Sequence, residues 1–295
     1  MANIAIIGLG SMGYGMAASC LRAGHPTWGV DIDQEAVRRF VAEGGQAGAL
    51  PHDLDAVVVV VLNAAQTESV LFGASGVVAS LKPGSIVIGC ATVAPDFARD
   101  IESRCGERGV LYLDAPISGG AAKAAQGKLS IMASGTHRAF AAARPVLDAC
   151  AETVFELGDS AGAGSAMKAV NQLLAGVHIA TMAEALTFGM TQGVSPKTFV
   201  EVISKCAGTS WMLENRAPHI VAGDYTPLSQ INIWPKDLGI VLDVAKSAGF
   251  SAPITAAALQ QYMVAVGMGL GREDDAAIAK VYARNAGLTL PSDNA

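Results

Sequence analysis

Asn3-Ile4-Ala5-Ile6-Ile7-Gly8-Leu9-Gly10-Ser11-Met12-Gly13 stands almost at the start of the chain, and a fold follows from it. Asn3 to Gly8 is an apolar β-type run, and Ser11 to Ala23 has the apolar spacing of a helix. Between them lies Gly-x-Gly-x-x-Gly in the context that gives it meaning, directly after a strand and opening a helix. In that context the first glycine permits a tight turn. The second lets the backbone approach a pyrophosphate, and the third lets the helix pack on the strand. The helix N-terminus adds unpaired N–H groups and a partial positive charge. Glycine-rich turns also serve plain packing, so a second signal matters. Asp31 ends the next apolar run, Thr27 to Asp31, where such folds place the carboxylate that reads a ribose hydroxyl. Gly8, Leu9, Gly10, Ser11, Met12, Gly13 and Asp31 are therefore candidate dinucleotide contacts. Asp31 favours NAD over NADP, because a carboxylate accepts from a free 2′-hydroxyl and repels a 2′-phosphate. The next basic residues, Arg38 and Arg39, fall inside the following helix. The alternative is that Asp31 or Asp33 only caps that helix, which Asp33 could do alone.

Beyond this turn, the first half keeps alternating strand-like and helix-like segments. Helical spacing runs from Asp33 to Glu43, and Ala56 to Leu62 reads as a buried strand. Its five consecutive valines suit a strand, since β-branched side chains lose rotamer freedom in a helix. Ser85 to Cys90 and Val110 to Asp114 are further strands around a helix from Pro95 to Arg108. This alternation implies a parallel sheet covered on both faces. After about Phe155 the pattern turns helical. A long alanine-rich segment, Ala163 to Gly193, precedes helices near Pro196 to Cys206, Trp211 to Ala222, Trp234 to Ala248, Ile254 to Met268 and Asp274 to Arg284. The expected class is α/β: a Rossmann-type doubly wound sheet over residues 1–161, an interdomain helix over 162–192, and an all-α domain over 193–295.

Composition limits the alternatives. With 295 residues, 51% hydrophobic and only 16% charged, the chain has material for large cores and is not disordered. The net charge of −6 carries no basic footprint for nucleic acid. A mean hydropathy of +0.38 raises the membrane question. Yet the uncharged stretch Phe250 to Gly271 contains Pro253, Gln260 and Gln261, which suits a buried helix better than a span. No basic segment precedes the first apolar run, so a signal peptide is not expected. The five cysteines are odd in number and scattered, without CxxC or a Cys/His cluster. Neither a disulfide framework nor a metal site is expected, and a cytoplasmic protein is the default. The apolar C-terminal helices suggest a homo-oligomer, a dimer or tetramer.

Four blocks resemble one family, the β-hydroxyacid dehydrogenases. They are Gly8 to Gly13 continuing to Gly24-His25, Asp114-Ala-Pro-Ile-Ser-Gly-Gly120 continuing to Gly127-Lys-Leu and Met132-Ala-Ser-Gly135, Gly162-Ala-Gly-Ser-Ala-Met-Lys168-Ala-Val-Asn171, and Lys236-Asp237-Leu238. Within the family, Asn63 to Gln66, Gln172 to Ala180, Ser210 to Met212, Glu214 to Arg216 and Gly223 to Pro227 resemble the branch acting on L-threonate. One departure is Asn171, where that branch often carries histidine. The resemblance implies NAD-dependent oxidation of a small hydroxy acid, L-threonate to 2-oxo-tetronate. The alternatives are a 3-hydroxyisobutyrate dehydrogenase, a tartronate semialdehyde reductase, or an inactive dinucleotide-binding sensor or scaffold.

The resemblance also implies roles. Ser118, Gly119 and Gly120 would hold the substrate carboxylate, and two glycines do let backbone N–H groups converge on an anion. Taken alone, they could equally be an ordinary turn after a strand. Lys168 would be the acid–base group. A lysine of pKa about 10.4 is a poor base at neutral pH unless burial or a nearby cation lowers it. A solvated helix lysine is the bland alternative, but Lys168 is the only charged residue between Asp159 and Glu184. Asn171, three residues on, shares its helix face and could bind a substrate hydroxyl. Lys236 would approach the nicotinamide end, or be a surface lysine beside Asp237. Asn63 and Thr92 follow the third and fourth strands, at the carboxyl edge where ligands sit in such sheets. The substrate is expected between the domains, with Ser210 to Asn215 helping to read its outer hydroxyls.

Overall fold

The structure, a computed structural model, describes residues 1–291 and divides into two compact units, Met1–Lys168 and Ala169–Ala295. In the first unit β1 (Ile4–Ile7), β2 (Thr27–Val30), β3 (Ala56–Val59), β4 (Ile86–Gly89) and β5 (Leu111–Asp114) form an all-parallel sheet in the order β2-β1-β3-β4-β5. Strands β1, β3 and β4 are buried at every position, as a parallel sheet covered on both faces requires. One apolar layer gathers Ile4, Ile6, Met16, Phe40, Val58 and Leu113, and the opposite layer gathers Ala5, Val57, Val87, Ile101 and Tyr112. Alternate residues of each strand thus feed opposite layers.

The helices between its strands are α1 (Gly13–Arg22), α2 (Gln34–Ala42), α3 (Ala64–Phe72) and α4 (Pro95–Gly106), and the later helix His137–Cys150 also packs against β3, β4 and β5. The third strand ends at Val59, short of the expected Leu62, because the chain turns off there to pass the glycine turn. A second, three-stranded sheet was not expected. It consists of β6 (Ile117–Ser118), β7 (Leu129–Ala133) and β8 (Ala151–Glu156), interleaved with α5 (Gly120–Gln126) and α6 (His137–Cys150). Strand β6 pairs antiparallel with β7, and β7 parallel with β8. Asp114 and Ser134 exchange backbone hydrogen bonds of 3.0 and 2.8 Å, joining the end of β5 to the segment after β7.

The second unit is helical. Helix α7 runs Ala163–Thr191, followed by α8 (Pro196–Ile203), α9 (Trp211–Ala222), α10 (Ile233–Ser247), α11 (Pro253–Gly267) and α12 (Ala279–Asn285). The expected last helix from Asp274 is instead a 3-10 turn, Asp275–Ile278, leading into α12. Asp274 caps that turn through Ala276 N at 3.0 Å. Its core gathers Ile179, Leu186, Phe199, Ile220, Trp234 and Tyr262. Arg216 and Asp275 are buried together in this core, 2.5 Å apart, and Trp234 Nε1 donates to the same carboxylate at 3.1 Å. By length and composition α7 could cross a bilayer, yet it carries Lys168 and Gln172, both buried.

Candidate active site

Three glycines shape the turn after β1, and each does so differently. Gly8 has φ +100°, and a Cβ there would lie 2.4 Å from Val60 O. A Cβ on Gly13 would lie 1.8 Å from Gly8 O, so α1 can begin there only with glycine. A Cβ on Gly10 would meet nothing within 4 Å. Its backbone faces open space, which is what close approach of a pyrophosphate needs. A cleft of about 420 Å³ beside the turn is lined by Leu9, Gly10, Ser11, Tyr14, Asp33 and Arg39. Gly13→Ala is expected to destabilise the fold. Gly10→Ala is expected to leave the melting temperature near wild type while NAD affinity falls at least about tenfold, because its Cβ would occupy ligand space. Calorimetric melting and NAD titration check both, and equal melting losses in the two variants would refute the distinction.

Asp31 and Asp33 divide the work that one of them might have done alone. Asp33 caps α2, accepting from Glu35 N at 2.9 Å. Asp31 accepts from Leu9 N at 2.5 Å through one oxygen and from Asp33 N at 2.8 Å through the other. Its carboxylate thus ties the glycine turn to the end of β2. Next to it Ile32 is 97% exposed, and Leu62 at the end of β3 is 62% exposed. Two exposed aliphatic side chains at the carboxyl edge suit the flat face of a base. Spacing did not single them out, although an isoleucine between two aspartates was the available signal. Asn63 caps α3, accepting from Gln66 N at 2.9 Å, while Gln66 Oε1 accepts from Leu62 N at 2.8 Å. Thr92 is half-buried between β4 and α4.

The Ser118-Gly119-Gly120 turn joins β6 to α5. Gly119 and Gly120 have φ of +131° and +76°, a pairing of left-handed residues that L side chains resist. A Cβ on Gly120 would meet nothing within 4 Å, so its backbone also faces open space. Lys168 reaches this turn: its Nζ donates to Ile117 O at 2.9 Å, one residue before Ser118. The lysine is only 8% exposed. What places it is Asp114, 1% exposed, at the end of β5. Asp114 accepts from Gly162 N at 2.9 Å, Ser165 N at 2.8 Å and Ser165 Oγ at 2.7 Å. Ser134 Oγ adds a 3.3 Å contact to this carboxylate and accepts from Gly164 N at 2.9 Å. The first turn of α7 is thereby fastened to the end of β5 and to the segment after β7. Burial pushes the Asp114 carboxyl above its ordinary range, and the bonds from Ser165, Gly162 and Ser134 pull the other way.

In the second unit Asn171 is half-buried and Gln172 buried. Asn171 Nδ2 donates to Gln172 Oε1 at 2.9 Å. Gln172 Nε2 donates to Asp237 Oδ2 at 2.5 Å, and Lys236 Nζ pairs with Asp237 Oδ1 at 2.7 Å. Lys236 is thus a partly exposed lysine, its side chain 28% exposed, paired with the buried Asp237. Gln172 and Asp237 went unassigned by spacing, although Gln172 lies four residues from Lys168, a spacing that also shares a helix face. In the Ser210 to Asn215 segment, Ser210 caps α9 by accepting from Leu213 N at 3.1 Å, and Asn215 Oδ1 accepts from Arg216. Those polar groups serve the fold. Among the described residues no cluster of three or more histidine, cysteine or acidic side chains could hold a metal ion.

Two family models match the chain in tandem. The NAD binding domain of 6-phosphogluconate dehydrogenase matches residues 3–158, and the NAD-binding domain of NADP-dependent 3-hydroxyisobutyrate dehydrogenase matches residues 162–282. The L-threonate dehydrogenase of Cupriavidus necator is 50% identical over 293 residues, 98% of each chain. The chain belongs to the β-hydroxyacid dehydrogenase family. As a β-hydroxyacid dehydrogenase it is an NAD-dependent oxidoreductase of the 3-hydroxyisobutyrate dehydrogenase type. The 3-hydroxyisobutyrate dehydrogenase of Pseudomonas aeruginosa is 36% identical, covering 88% of this chain and 90% of that one. The crystal structure of 3-hydroxyisobutyrate dehydrogenase from Salmonella typhimurium superposes with a TM-score of 0.90 at 45% identity, covering 95% of this chain and all of that one. The open backbone at Gly10, the Asp31 carboxylate and the exposed side chains of Ile32 and Leu62 fit an NAD molecule.

Proposed function

We propose that this β-hydroxyacid dehydrogenase oxidises L-threonate at C2 to 2-oxo-tetronate, with NAD as acceptor. The observation that carries the chemistry is the buried Lys168 ammonium nitrogen held 2.9 Å from Ile117 O, at the mouth of the Ser118 to Gly120 turn. Bound NAD supplies the acceptor for the hydride that leaves C2. Gly119 and Gly120 offer N–H groups to the substrate carboxylate, and the Ser118 hydroxyl adds a donor. Lys168, as the neutral amine, takes the proton of the C2 hydroxyl, so that the C–O bond can become a carbonyl. Asn171 binds an outer hydroxyl. Gly8 to Gly13 hold the pyrophosphate, Asp31 the adenosine ribose, and Asn63, Thr92 and Lys236 complete the cofactor contacts. The choice of L-threonate rests on the 50% identity to the Cupriavidus necator enzyme over 98% of each chain.

We read the protein as cytoplasmic and homo-oligomeric, with no nucleic acid or membrane partner. Met167, Val170, Leu174 and Phe188 of α7 are 44–65% exposed and suit a subunit contact. A solution mass above the 30.0 kDa monomer by light scattering is the expected result.

The test is NAD reduction with L-threonate, D-threonate, 3-hydroxyisobutyrate and glycerate. L-threonate is expected to have the highest kcat/KM, and NADP in place of NAD to lower it at least about tenfold, since Asp31 would face the 2′-phosphate. A preference for 3-hydroxyisobutyrate would overturn the substrate, and equal use of NADP would overturn the role of Asp31.

A further inference from the structure

Helix α7 buries Gln172 at 7% exposure, and α10 buries Asp237 at 2%. Buried polar groups are retained where their bonds are made, and here the bonds have a direction. A carboxylate only accepts. The Gln172 amide must therefore turn its NH2 toward Asp237, across the 2.5 Å contact. That leaves Gln172 Oε1 turned toward Asn171, and this oxygen also only accepts. Asn171 must then present its NH2, as it does at 2.9 Å. The oxygen of Asn171 is consequently directed away from Gln172. Lys236 balances the charge at the other end of the chain, 2.7 Å from Asp237. Every bond donates toward the carboxylate, and linked bonds polarise one another, which makes the Asn171 oxygen a stronger acceptor.

We propose that Gln172 and Asp237 are positioning residues that fix the amide polarity of Asn171, presenting its Oδ1 as an acceptor for a substrate hydroxyl beyond the oxidised carbon. The substrate class this selects is an acid with a hydroxyl donor outside C2, and acids with a bare alkyl chain there leave the acceptor unpaired. The inference rests on the hydroxy-acid reading above. Asp237 sets the polarity from two bonds away, without itself meeting the substrate.

The experiment is a double-mutant cycle on the full-length enzyme with Gln172→Met, Asn171→Ala and their combination. It uses L-threonate and 2-hydroxybutyrate of the same C2 configuration, which lacks both outer hydroxyls. Gln172→Met is expected to lower kcat/KM for L-threonate about tenfold, mainly through KM, the worth of one hydrogen bond. It should add no further loss in the Asn171→Ala background, and leave 2-hydroxybutyrate turnover and NAD affinity unchanged. Asp237→Asn, which keeps the volume but lets the amide chain reverse, is expected to lower kcat/KM for L-threonate relative to 2-hydroxybutyrate by the same factor, with any change in NAD affinity through Lys236 falling equally on both substrates. Additive losses in the cycle, or equal losses on both substrates, would overturn the relay. A wild type that does not prefer L-threonate over 2-hydroxybutyrate would overturn the parent reading instead. Intact preference with an indifferent Gln172→Met and Asp237→Asn would sink the relay alone.

Discussion

Lys168→Ala is expected to lower kcat by about 10²–10⁴-fold, the usual contribution of a positioned acid–base group. The fold should survive, because the first turn of α7 is held by Asp114 and Ser134 through Gly162, Gly164 and Ser165, not by the lysine. NAD affinity should stay near wild type, since the glycine turn and Asp31 are built from β1, α1 and β2. Removing the 2.9 Å bond from Lys168 to Ile117 O leaves that acceptor behind, which costs about 1–3 kcal/mol. Lys168→Arg is expected to stay inactive, because a guanidinium keeps its proton at any usable pH. The pH profile separates this from a merely electrostatic role. Oxidation needs the neutral amine, so wild-type kcat/KM should rise with pH until the lysine has lost its proton. The residual activity of Lys168→Ala should lack that rise. A folded Lys168→Ala enzyme with near-wild-type kcat would remove the lysine from the acid–base role.

What the sequence made legible was local. The strand, turn and helix from Ile4 to Arg22 are contiguous, and each glycine answers a constraint within that segment or on its neighbouring strand. The valine-rich β3 and the helix from Trp211 to Ala222 were legible for the same reason, since composition and caps lie inside the element. The second sheet was not. Strand β6 has only two residues, and no position of β8 is fully buried, so neither has the apolar run or alternation that marks a strand. Both exist through pairing with β7, which local spacing does not encode. The site divides in the same way. Lys168 stood out as a lone charge in an apolar helix. Gln172 did not, because its meaning depends on Asp237, 65 residues away. Nor did spacing show that the Asn215 oxygen accepts from Arg216, which in turn bonds Asp275, 59 residues on.

Asp114→Ala should destabilise the first unit by about 3–4 kcal/mol, a fall in Tm of roughly 10 °C, because it strands several buried donors at once. The carboxylate accepts from Gly162 N, Ser165 N and Ser165 Oγ at 2.7–2.9 Å, with Ser134 Oγ at 3.3 Å. Removing one acceptor therefore leaves two backbone N–H groups and a hydroxyl without a partner in the interior. The effect should reach function through α7, whose first turn carries Lys168 to Ile117 O. Asp114→Asn keeps the volume and one acceptor oxygen, so it should lose less stability than alanine and retain more kcat. The pH dependence gives an independent reading. Burial raises the Asp114 carboxyl in the folded state above its unfolded value. The folded protein thus holds that proton more tightly, and this contribution to stability is present at acid pH and lost as pH rises through the raised pKa. The stability of Asp114→Asn should lack this decline, so the difference between wild type and Asp114→Asn should shrink or reverse from acidic to neutral pH. Urea titrations of both proteins across that range measure it. A difference that instead grows in favour of wild type as pH rises would mean that the bonds from Ser165, Gly162 and Ser134 outweigh burial, and that Asp114 stabilises α7 as a carboxylate.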